Sequence, residues 1–177
     1  MSKTTLGHKA TAPKSLNFAV VICSSSRYQK LKLGKTVNDS SGDLIVDALR
    51  QHGHIVTSQT IVPDDQYFIK QHVRRALSSS DVDAVITCGG TGIGPTDVTI
   101  ETVQPLFEKE IHGFGEIFRT LGYEQIGSAV ILTRALAGVS QGKVVFCIPG
   151  SPEAVSLCLE KLILPEVGHI VKHARER

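Results

Sequence analysis

The chain has no tryptophan, a single methionine and aromatic residues at only 5% of its 177 positions. Its four cysteines form no C-x-x-C pair, so the sequence indicates neither a structural zinc site nor a thioredoxin-like redox site. The formal net charge of +2 is too small to point to nucleic acid or to a membrane surface. No apolar run is long enough to cross a bilayer, and the N-terminus lacks the apolar core of a signal peptide. These absences predict a cytoplasmic protein.

The overall composition is that of an ordinary globular protein, with 41% hydrophobic and 20% charged residues. Residues 1–15 are polar and show no periodicity, so we expect a flexible N-terminal arm there and a single domain over residues 16–177. Three cysteines, Cys23, Cys88 and Cys147, fall in strand-like apolar runs. We expect them to act as small buried hydrophobic side chains in a reducing compartment.

Apolar runs alternate with helical patterns along the domain. Continuous runs of the kind that suits strands buried on both faces of a parallel sheet occur at Asn17–Cys23, Ile55–Val62, Val82–Cys88 and Val144–Ile148. Helical patterns occur at Ser41–Gln51, Gln66–Leu77 and Val98–Phe107. A further helix is predicted from Ser151-Pro152-Glu153 onward, and a break at Pro165 separates it from a last helix that reaches His173. The alternation predicts one α/β domain in which helices cover both faces of a mostly parallel sheet.

Three of the predicted strands end in small or flexible polar residues. The three segments are Ser24-Ser25-Ser26-Arg27, residues 89–97 with the sequence GGTGIGPTD, and Pro149-Gly150-Ser151-Pro152. The carboxyl edge of a parallel sheet is the working surface of such folds, and glycine-rich turns before helices bring backbone N–H groups close to anions. The loops therefore predict a phosphate-rich ligand, although a glycine-rich turn can also be only a tight connection. The middle loop has neither Walker nor G-x-G-x-x-G spacing.

Acidic residues accompany these loops. Asp97 ends the glycine-rich loop, and a carboxylate beside bound phosphate requires a counter-cation such as Mg²⁺. Asp64 and Asp65 follow another strand at the same predicted edge of the sheet. Two carboxylates at one anionic site suggest magnesium-assisted phosphoryl or nucleotidyl transfer. The alternative is helix capping, by Asp97 for a helix that begins at Val98 and by Asp64 or Asp65 for the helix that follows them.

Two basic side chains complete the candidate site. Arg27 follows the first strand and Arg134 follows a short apolar run, and either guanidinium is suited to clamp a phosphate. The histidines form no nucleophilic or metal-binding pattern and receive no role. His52 and His54 flank a glycine and are expected to be solvated in a turn.

Several segments resemble one known family. The segment TCGGTGIGPTDVT, Thr87–Thr99, is similar to the signature T-x-G-G-T-G-x-x-x-x-D-x-T of the molybdopterin-binding MoaB/Mog family. Residues 110–127, EIHGFGEIFRTLGYEQIG, resemble the MoaB branch of that family, as do Thr133–Gly138 and Ile148–Ala154. The resemblance covers about residues 16 to 170, nearly all of the chain.

The resemblance implies a doubly wound, three-layer α/β/α fold, assembled as trimers or hexamers. Active members transfer AMP from ATP to the terminal phosphate of molybdopterin with Mg²⁺, release pyrophosphate, and pass the product to an enzyme that inserts molybdenum. Matching motif positions makes Asp64 and Asp97 the catalytic and magnesium-binding residues. The implied nucleotide and phosphate contacts are Gly89, Gly90, Thr91, Gly92, Pro149, Gly150 and Ser151, and the implied molybdopterin contacts are Ser24, Ser25, Arg27, Asp39, Ser41, Gly42, Thr133 and Arg134.

Two other functions stay open at this level. Some MoaB-branch proteins are catalytically silent and can lack the first aspartate, so a molybdopterin-binding carrier or scaffold is one alternative, but this chain keeps both Asp64 and Asp97. A nucleotide-binding regulator with another ligand is the second, because a fold does not fix a function. The apolar segment Ile111–Leu121 is a candidate subunit contact.

Overall fold

The computed structural model describes residues 11–176, so most of the expected N-terminal arm, residues 1–10, and residue 177 lie outside the described residues. The strands are β1 Asn17–Cys23, β2 Ile55–Val62, β3 Ala84–Cys88, β4 Lys109–Glu110, β5 Leu136–Ser140 and β6 Lys143–Ile148. The α-helices are α1 Ser25–Lys32, α2 Ser40–Gln51, α3 Gln66–Ser78, α4 Thr99–Val103, α5 His112–Ile126, α6 Pro152–Cys158 and α7 Leu164–Arg175. Two 3₁₀ helices, Gln104–Leu106 and Gly127–Leu132, and one π-helix, Leu159–Ile163, connect them.

The strands form one sheet of six, in the order β2-β1-β3-β6-β5-β4. The first four in that order run parallel, whereas β5 pairs antiparallel with β6 and β4 with β5. This topology confirms the expected doubly wound, mostly parallel α/β fold. The register pairs Cys88 with both Ile22 and Ile148, so that β1, β3 and β6 end at the same level. The loops that follow them therefore start side by side.

Both faces of the sheet are covered at its centre, which explains why β1, β3 and β6 are almost continuously apolar, whereas the edge strand β2 is half polar and mostly exposed. In β1, Phe18, Val20 and Ile22 point into a core closed by α2, α6 and α7, and Ala19, Val21 and Cys23 point into a second core closed by α3 and α4. All four cysteines are buried in these cores, as the sequence predicts. None of the helices within residues 11–176 is both long and apolar enough to span a membrane.

The structure agrees with one helix prediction and departs from another. The helix expected from about Val98 to Phe107, with Pro105 bending or ending it, is α4, which ends at Val103, and Pro105 follows in a 3₁₀ helix. Pro165 does not break the last helix. It lies in the first turn of α7, directly after the π-helix, where its missing N–H is tolerated.

The prediction that His54 is solvated is wrong. Its Nδ1 accepts a hydrogen bond from the backbone N–H of Leu16 at 3.2 Å, and its ring packs against Phe18 with centroids 5.1 Å apart. Burial, followed by the nearby imidazole of His52, lowers the pKa of His54 below its usual value of 6.5. His54 thus helps to join β1 to the turn before β2. His52 itself is exposed, as expected.

Candidate active site

Two adjacent aspartates after β2 have different roles. Asp65 is the N-cap of α3, and its Oδ1 accepts from the N–H groups of Tyr67 at 2.9 Å and Phe68 at 3.2 Å. Asp64 does not cap that helix. Its Oδ2 accepts from the N–H of Ser25 at 2.8 Å, and its own N–H donates to Ser25 Oγ at 2.9 Å. Capping therefore accounts for Asp65, whereas Asp64 lies against the first turn of α1, where the helix dipole favours a negative charge.

Asp64 also lies beside the glycine-rich loop that follows β3. A methyl group added to Gly90 would lie 3.1 Å from Asp64 Oδ1 and 2.5 Å from the hydroxyl of Thr99. Thr99 closes this turn, because its hydroxyl donates to the carbonyl of Gly89 at 2.8 Å and its N–H donates to the carbonyl of Gly90 at 3.0 Å. Gly90 has a φ of +63°, a conformation that glycine adopts without strain. The local geometry explains the paired glycines and gives Thr99, which belongs to the motif, a structural role.

Asp97 contacts the other end of the same loop. Its Oδ2 accepts from the N–H of Gly94 at 2.9 Å, and a methyl group added to Gly92 would lie 2.7 Å from that oxygen. The capping alternative for Asp97 is wrong, since the N-cap of α4 is Val98 and makes no side-chain cap hydrogen bond. Asp64, from the segment after β2, thus lies beside the same loop that Asp97 closes from within.

Arg134 holds the middle of this loop. Its Nε donates to the carbonyl of Thr91 at 2.9 Å and its Nη2 to the carbonyl of Gly92 at 2.6 Å. Its Nη1 donates to Oε1 of Glu101 at 2.5 Å, and this hydrogen bond lowers the pKa of Glu101. The guanidinium thus faces loop carbonyls, and its expected phosphate contact stays a prediction. No motif identified Glu101, which lies two residues beyond the signature.

The expected pterin-side residues lie along a second line of contacts. Arg27 Nη1 lies 3.5 Å from Asp39 Oδ1, which also accepts from the N–H of Gly42 at 3.2 Å and so caps α2. Asp39 Oδ2 is buried and has no hydrogen-bond partner among the described residues. Ser41 Oγ donates to the carbonyl of Gly150 at 2.8 Å. The start of α2 is thereby tied both to α1 and to the loop after β6.

The loop after β6 packs against the glycine-rich loop. Gly89 donates its N–H to the carbonyl of Ile148 at 3.0 Å, and a methyl group added to Gly150 would lie 3.3 Å from Gly89 Cα. Ser151 is the N-cap of α6, as predicted, and accepts from the N–H of Ala154 at 3.3 Å. The two loops therefore form one surface.

These contacts close a ring around the carboxyl edge of the sheet. In order around the ring, the contacts are Ser25 with Asp64, Asp64 with Gly90, Gly89 with Gly150, Gly150 with Ser41, and Asp39 with Arg27. Ser24 supports the ring as the N-cap of α1, accepting from the N–H of Arg27 at 3.4 Å. Thr133 lines a neighbouring pocket of about 250 Å³ together with Ser151. The three predicted strand-end loops thus meet in one place.

The donor set at this edge fits magnesium and offers no thiol nucleophile. Within residues 11–176 no group of three or more His, Cys, Asp or Glu side chains is arranged to hold a metal. Mg²⁺ requires less, since it is commonly bound by one or two carboxylates together with phosphate oxygens and water. The hydrogen bonds described above for Asp64 and Asp97 use Oδ2 in both cases. Burial raises the pKa of Cys88 to about 12, so this nearby thiol stays protonated.

Comparisons with known proteins find relatives over nearly the whole chain. A family model described as a probable molybdopterin binding domain matches residues 19–169. The molybdenum cofactor biosynthesis protein B of Bacillus cereus is 48% identical over 164 residues, which cover 92% of this chain and 93% of that protein. The molybdopterin adenylyltransferase of Pyrococcus furiosus is 44% identical over 173 residues, 96% of this chain and 97% of that protein.

A solved structure gives the same result. The crystal structure of a molybdenum cofactor biosynthesis protein B matches with a TM-score of 0.86 and 46% identity, and the match covers 94% of this chain and 100% of that one. The glycine-rich loop, Asp64 and Asp97 lie inside the matched region. Because the family model and these relatives match nearly the whole chain, the chain belongs to the molybdopterin-binding MoaB/Mog family.

Proposed function

We propose that this protein is a molybdopterin adenylyltransferase, which transfers AMP from ATP to the terminal phosphate of molybdopterin during molybdenum cofactor biosynthesis. A relative named molybdopterin adenylyltransferase, at 44% identity, and one named probable molybdopterin adenylyltransferase, at 42%, each matched over nearly the whole chain, support this activity. The observation that carries it is the approach of Asp64 and Asp97 to one glycine-rich loop. A protein that only carried the pterin would have no evident use for two carboxylates at its phosphate site.

The loops explain how two anionic substrates share one site. Backbone N–H groups of Gly90, Thr91 and Gly92 bind the nucleotide phosphates. Gly89, whose own N–H donates to the carbonyl of Ile148, forms the adjacent wall with Pro149, Gly150 and Ser151. Arg134 orients the loop because it draws the carbonyls of Thr91 and Gly92 to one side. The pterin lies toward Ser24, Ser25, Arg27, Asp39, Ser41, Gly42 and Thr133. Holding both substrates in fixed positions supplies much of the rate acceleration.

The transfer itself needs no covalent enzyme intermediate. An oxygen of the terminal phosphate of molybdopterin attacks the α-phosphorus of ATP, a new P–O bond forms, and the bond to the β-phosphate oxygen breaks to release pyrophosphate. No general base is required, because a phosphate monoester is largely deprotonated at neutral pH, with a second pKa of about 6. Bound at Asp64 and Asp97, Mg²⁺ would neutralise phosphate charge and stabilise the departing pyrophosphate.

The direct test is to incubate the purified chain with molybdopterin, ATP and Mg²⁺. We expect adenylylated molybdopterin and pyrophosphate in equal amounts, and no reaction with EDTA. Tight molybdopterin binding without any adenylylated product would instead identify a carrier. ATP binding without molybdopterin binding would favour a nucleotide-binding regulator.

The setting of this activity is part of the proposal. We propose a cytoplasmic homotrimer or homohexamer that hands its product to the enzyme that inserts molybdenum. Exposed apolar side chains on α5 and the following 3₁₀ helix support self-association, among them Ile117, Tyr123, Ile126, Ile131 and Leu132. Light scattering on purified protein tests the assembly, and a monomer would contradict it.

A further inference from the structure

The helix α1 begins at the candidate active site but has no buried residue. Its first residue, Ser25, is hydrogen-bonded to Asp64, and residues 29–36 are all exposed. A helix of eight residues is marginal in water, and most helices in proteins are stabilised by an apolar face that packs on a core. The exposed side of α1 lacks that packing, and a partner that covers it would supply it.

The charged side chains of this segment are all positive. Residues 24–38 contain no acidic residue, and their basic residues are Arg27, Lys30, Lys32 and Lys35. Arg27 lies 3.5 Å from Asp39, whereas the three lysines form no ion pair among residues 11–176. Lysines in the last turn of a helix stabilise its dipole, which accounts for Lys30 and Lys32. Lys35 follows the end of the helix, so the dipole does not account for it.

Apolar and aromatic side chains are exposed beside these lysines. Leu33 is 70% exposed at the end of α1, and Tyr67 is 67% exposed in the first turn of α3. Tyr67 packs edge to face on Phe68, whose ring lies 6.0 Å from that of Tyr28. Lys32 Nζ lies 5.1 Å from the centre of the Tyr28 ring, so the two helices present one continuous surface. We call it the α1–α3 surface, and its exposed residues are Lys30, Leu31, Lys32, Leu33, Lys35, Tyr67 and Phe68.

The α1–α3 surface borders the candidate active site. Asp65 accepts from the N–H groups of Tyr67 and Phe68, and the adjacent Asp64 accepts from the N–H of Ser25 at 2.8 Å. A macromolecule bound to this surface would therefore lie beside the proposed magnesium-binding carboxylate.

The mixture of residues on the surface distinguishes between kinds of partner. Exposed leucine and tyrosine side chains beside charged ones are typical of protein interfaces, in which apolar and aromatic contacts lie within a polar rim. A helix that lies on a membrane separates its apolar and basic faces, but Arg27 and Leu31 are four residues apart and share one face of α1. A second copy related by a two-fold axis would place lysines against lysines, which is repulsive. An acidic protein surface fits both the charge and the apolar contacts.

We propose that the α1–α3 surface is a docking site for an acidic face of the enzyme that consumes the adenylylated product. Complementary charge accelerates the encounter and fixes the orientation of such a partner, and Leu33 and Tyr67 supply apolar contacts. Docking beside Asp64 brings the partner next to the place where the product is formed. This inference rests on the proposed function, because the product defines the partner.

Binding of the purified molybdenum-insertion enzyme of the same organism to the full-length protein, without nucleotide or molybdopterin, tests the surface. Leu33→Ser and the double variant Lys30→Glu/Lys35→Glu should each raise the Kd by about tenfold or more. The charge reversals should act mainly by slowing association, and the Kd of the wild-type protein should rise with salt. Circular dichroism should show an unchanged fold, because these side chains are exposed.

Lys109→Glu is the matched control. It makes the same change of charge at an exposed lysine on β4, the strand at the opposite edge of the sheet from β2, and should leave the Kd unchanged. Absence of binding by the wild-type protein, an unchanged Kd in the α1–α3 variants, or an equal loss in Lys109→Glu would each overturn the proposal.

Two further measurements separate this surface from other roles. Tighter binding of the wild-type protein to phosphatidylserine vesicles or single-stranded RNA than to the enzyme would overturn the proposal in favour of a membrane or RNA. A raised KM for ATP in the lysine variants, with normal enzyme binding by Leu33→Ser, would assign the surface to substrate steering instead. The kcat of AMP transfer from free substrates should be unchanged in every variant. That assay contains no partner, so failure of docking and failure of the proposed function are distinguishable.

Discussion

Arg134 and Glu101 are joined by two hydrogen bonds, from Nη1 to Oε1 at 2.5 Å and from Nη2 to Oε2 at 3.3 Å. The same guanidinium donates to the carbonyls of Thr91 and Gly92, so the ion pair anchors the glycine-rich loop to α4. Arg134 thereby acts on the proposed reaction through the loop.

Arg134→Lys should loosen the loop without unfolding the protein. A lysine ammonium is a point donor and cannot reproduce the planar fork that reaches Thr91, Gly92 and Glu101 together. We expect kcat/KM for ATP to fall by about 10- to 100-fold, the scale of a misplacement near 1 Å. Amide hydrogen exchange at Thr91 and Gly92 should accelerate. Glu101→Gln, which keeps an acceptor oxygen, should have a smaller effect, and unchanged exchange in the lysine variant would argue against an anchoring role.

Asp64→Asn and Asp97→Asn should strongly slow adenylyl transfer while preserving the fold. An amide oxygen can still accept from the N–H groups of Ser25 and Gly94, so the substitutions remove charge and keep the hydrogen bonds. We expect kcat to fall by about 100-fold or more, with little change in molybdopterin affinity.

Asp65→Ala is the control for this pair. Loss of its N-cap should cost about 1 kcal/mol of stability and leave turnover intact. Steady-state kinetics and urea unfolding distinguish the two classes of variant. If Asp64→Asn loses stability and retains activity as Asp65→Ala does, the proposed division of roles is wrong.

Gly90→Ala should be more harmful than Gly34→Ala. The two glycines have similar φ values of +63° and +67°, so the backbone cost of alanine is alike, about 1–2 kcal/mol. At Gly34 the new methyl group meets nothing within 4 Å, but at Gly90 it meets the Thr99 hydroxyl at 2.5 Å and Asp64 at 3.1 Å. Thermal unfolding and AMP transfer should both show the difference, and equal losses would contradict the packing described for the loop.

The cysteines should resist thiol reagents in the folded protein. All four are buried, and burial raises the pKa of each thiol, to about 12 for Cys147. Thiolate is the reactive form, so labelling by Ellman's reagent at pH 8 should follow unfolding. Denaturant should release all four thiols. Rapid labelling without denaturant would show that one of the cores opens.

Stability should fall as the pH drops through the range just below 6.5. The pKa of His54 is lowered in the folded state, first by burial and then by His52, so the unfolded chain binds the additional proton first. Protonation therefore favours unfolding, and the contribution of His54 to stability is present above its unfolded pKa and lost as the pH falls. Urea unfolding at pH 5.5 and pH 7.5 measures the effect. His54→Asn keeps an acceptor for Leu16 and should show a weaker pH dependence, and an unchanged dependence would assign it to other groups.

The sequence predicts the strands β1, β2, β3 and β6 within two residues. β1, β3 and β6 are buried on both faces and are recognisable as apolar runs, whereas the exposed edge strand β2 is marked only by the apolar, β-branched residues at its two ends. β4 has only two residues, and β5 contains Gly138, against which the ring of Phe107 packs, so neither has a clear strand pattern.

The helix α5 is absent from the helical patterns read from the sequence, because glycines interrupt its periodicity. One of them, Gly115, is explained by tertiary packing, since a methyl group there would lie 2.6 Å from the carbonyl of Ala135. Close packing between distant segments leaves no periodic signal in the chain.

For the site, the ends of the predicted strands located the three loops and both aspartates, and the fold brings the loops to one edge. The sequence did not distinguish Asp64 from Asp65, because the distinction depends on which carboxylate turns toward Ser25. Nor did it indicate that Arg134 bonds loop carbonyls, since its partners are main-chain atoms that have no sequence signature.

The position of β6 in the sheet has a consequence for biosynthesis on the ribosome. This strand is made last but lies in the middle, between β3 and β5. A nascent chain that has emerged only through β3 exposes an unpaired strand edge, which is a template for aggregation. The glycine-rich loop gains its Gly150 neighbour only when β6 inserts, so the proposed nucleotide site is incomplete until the last strand is in place.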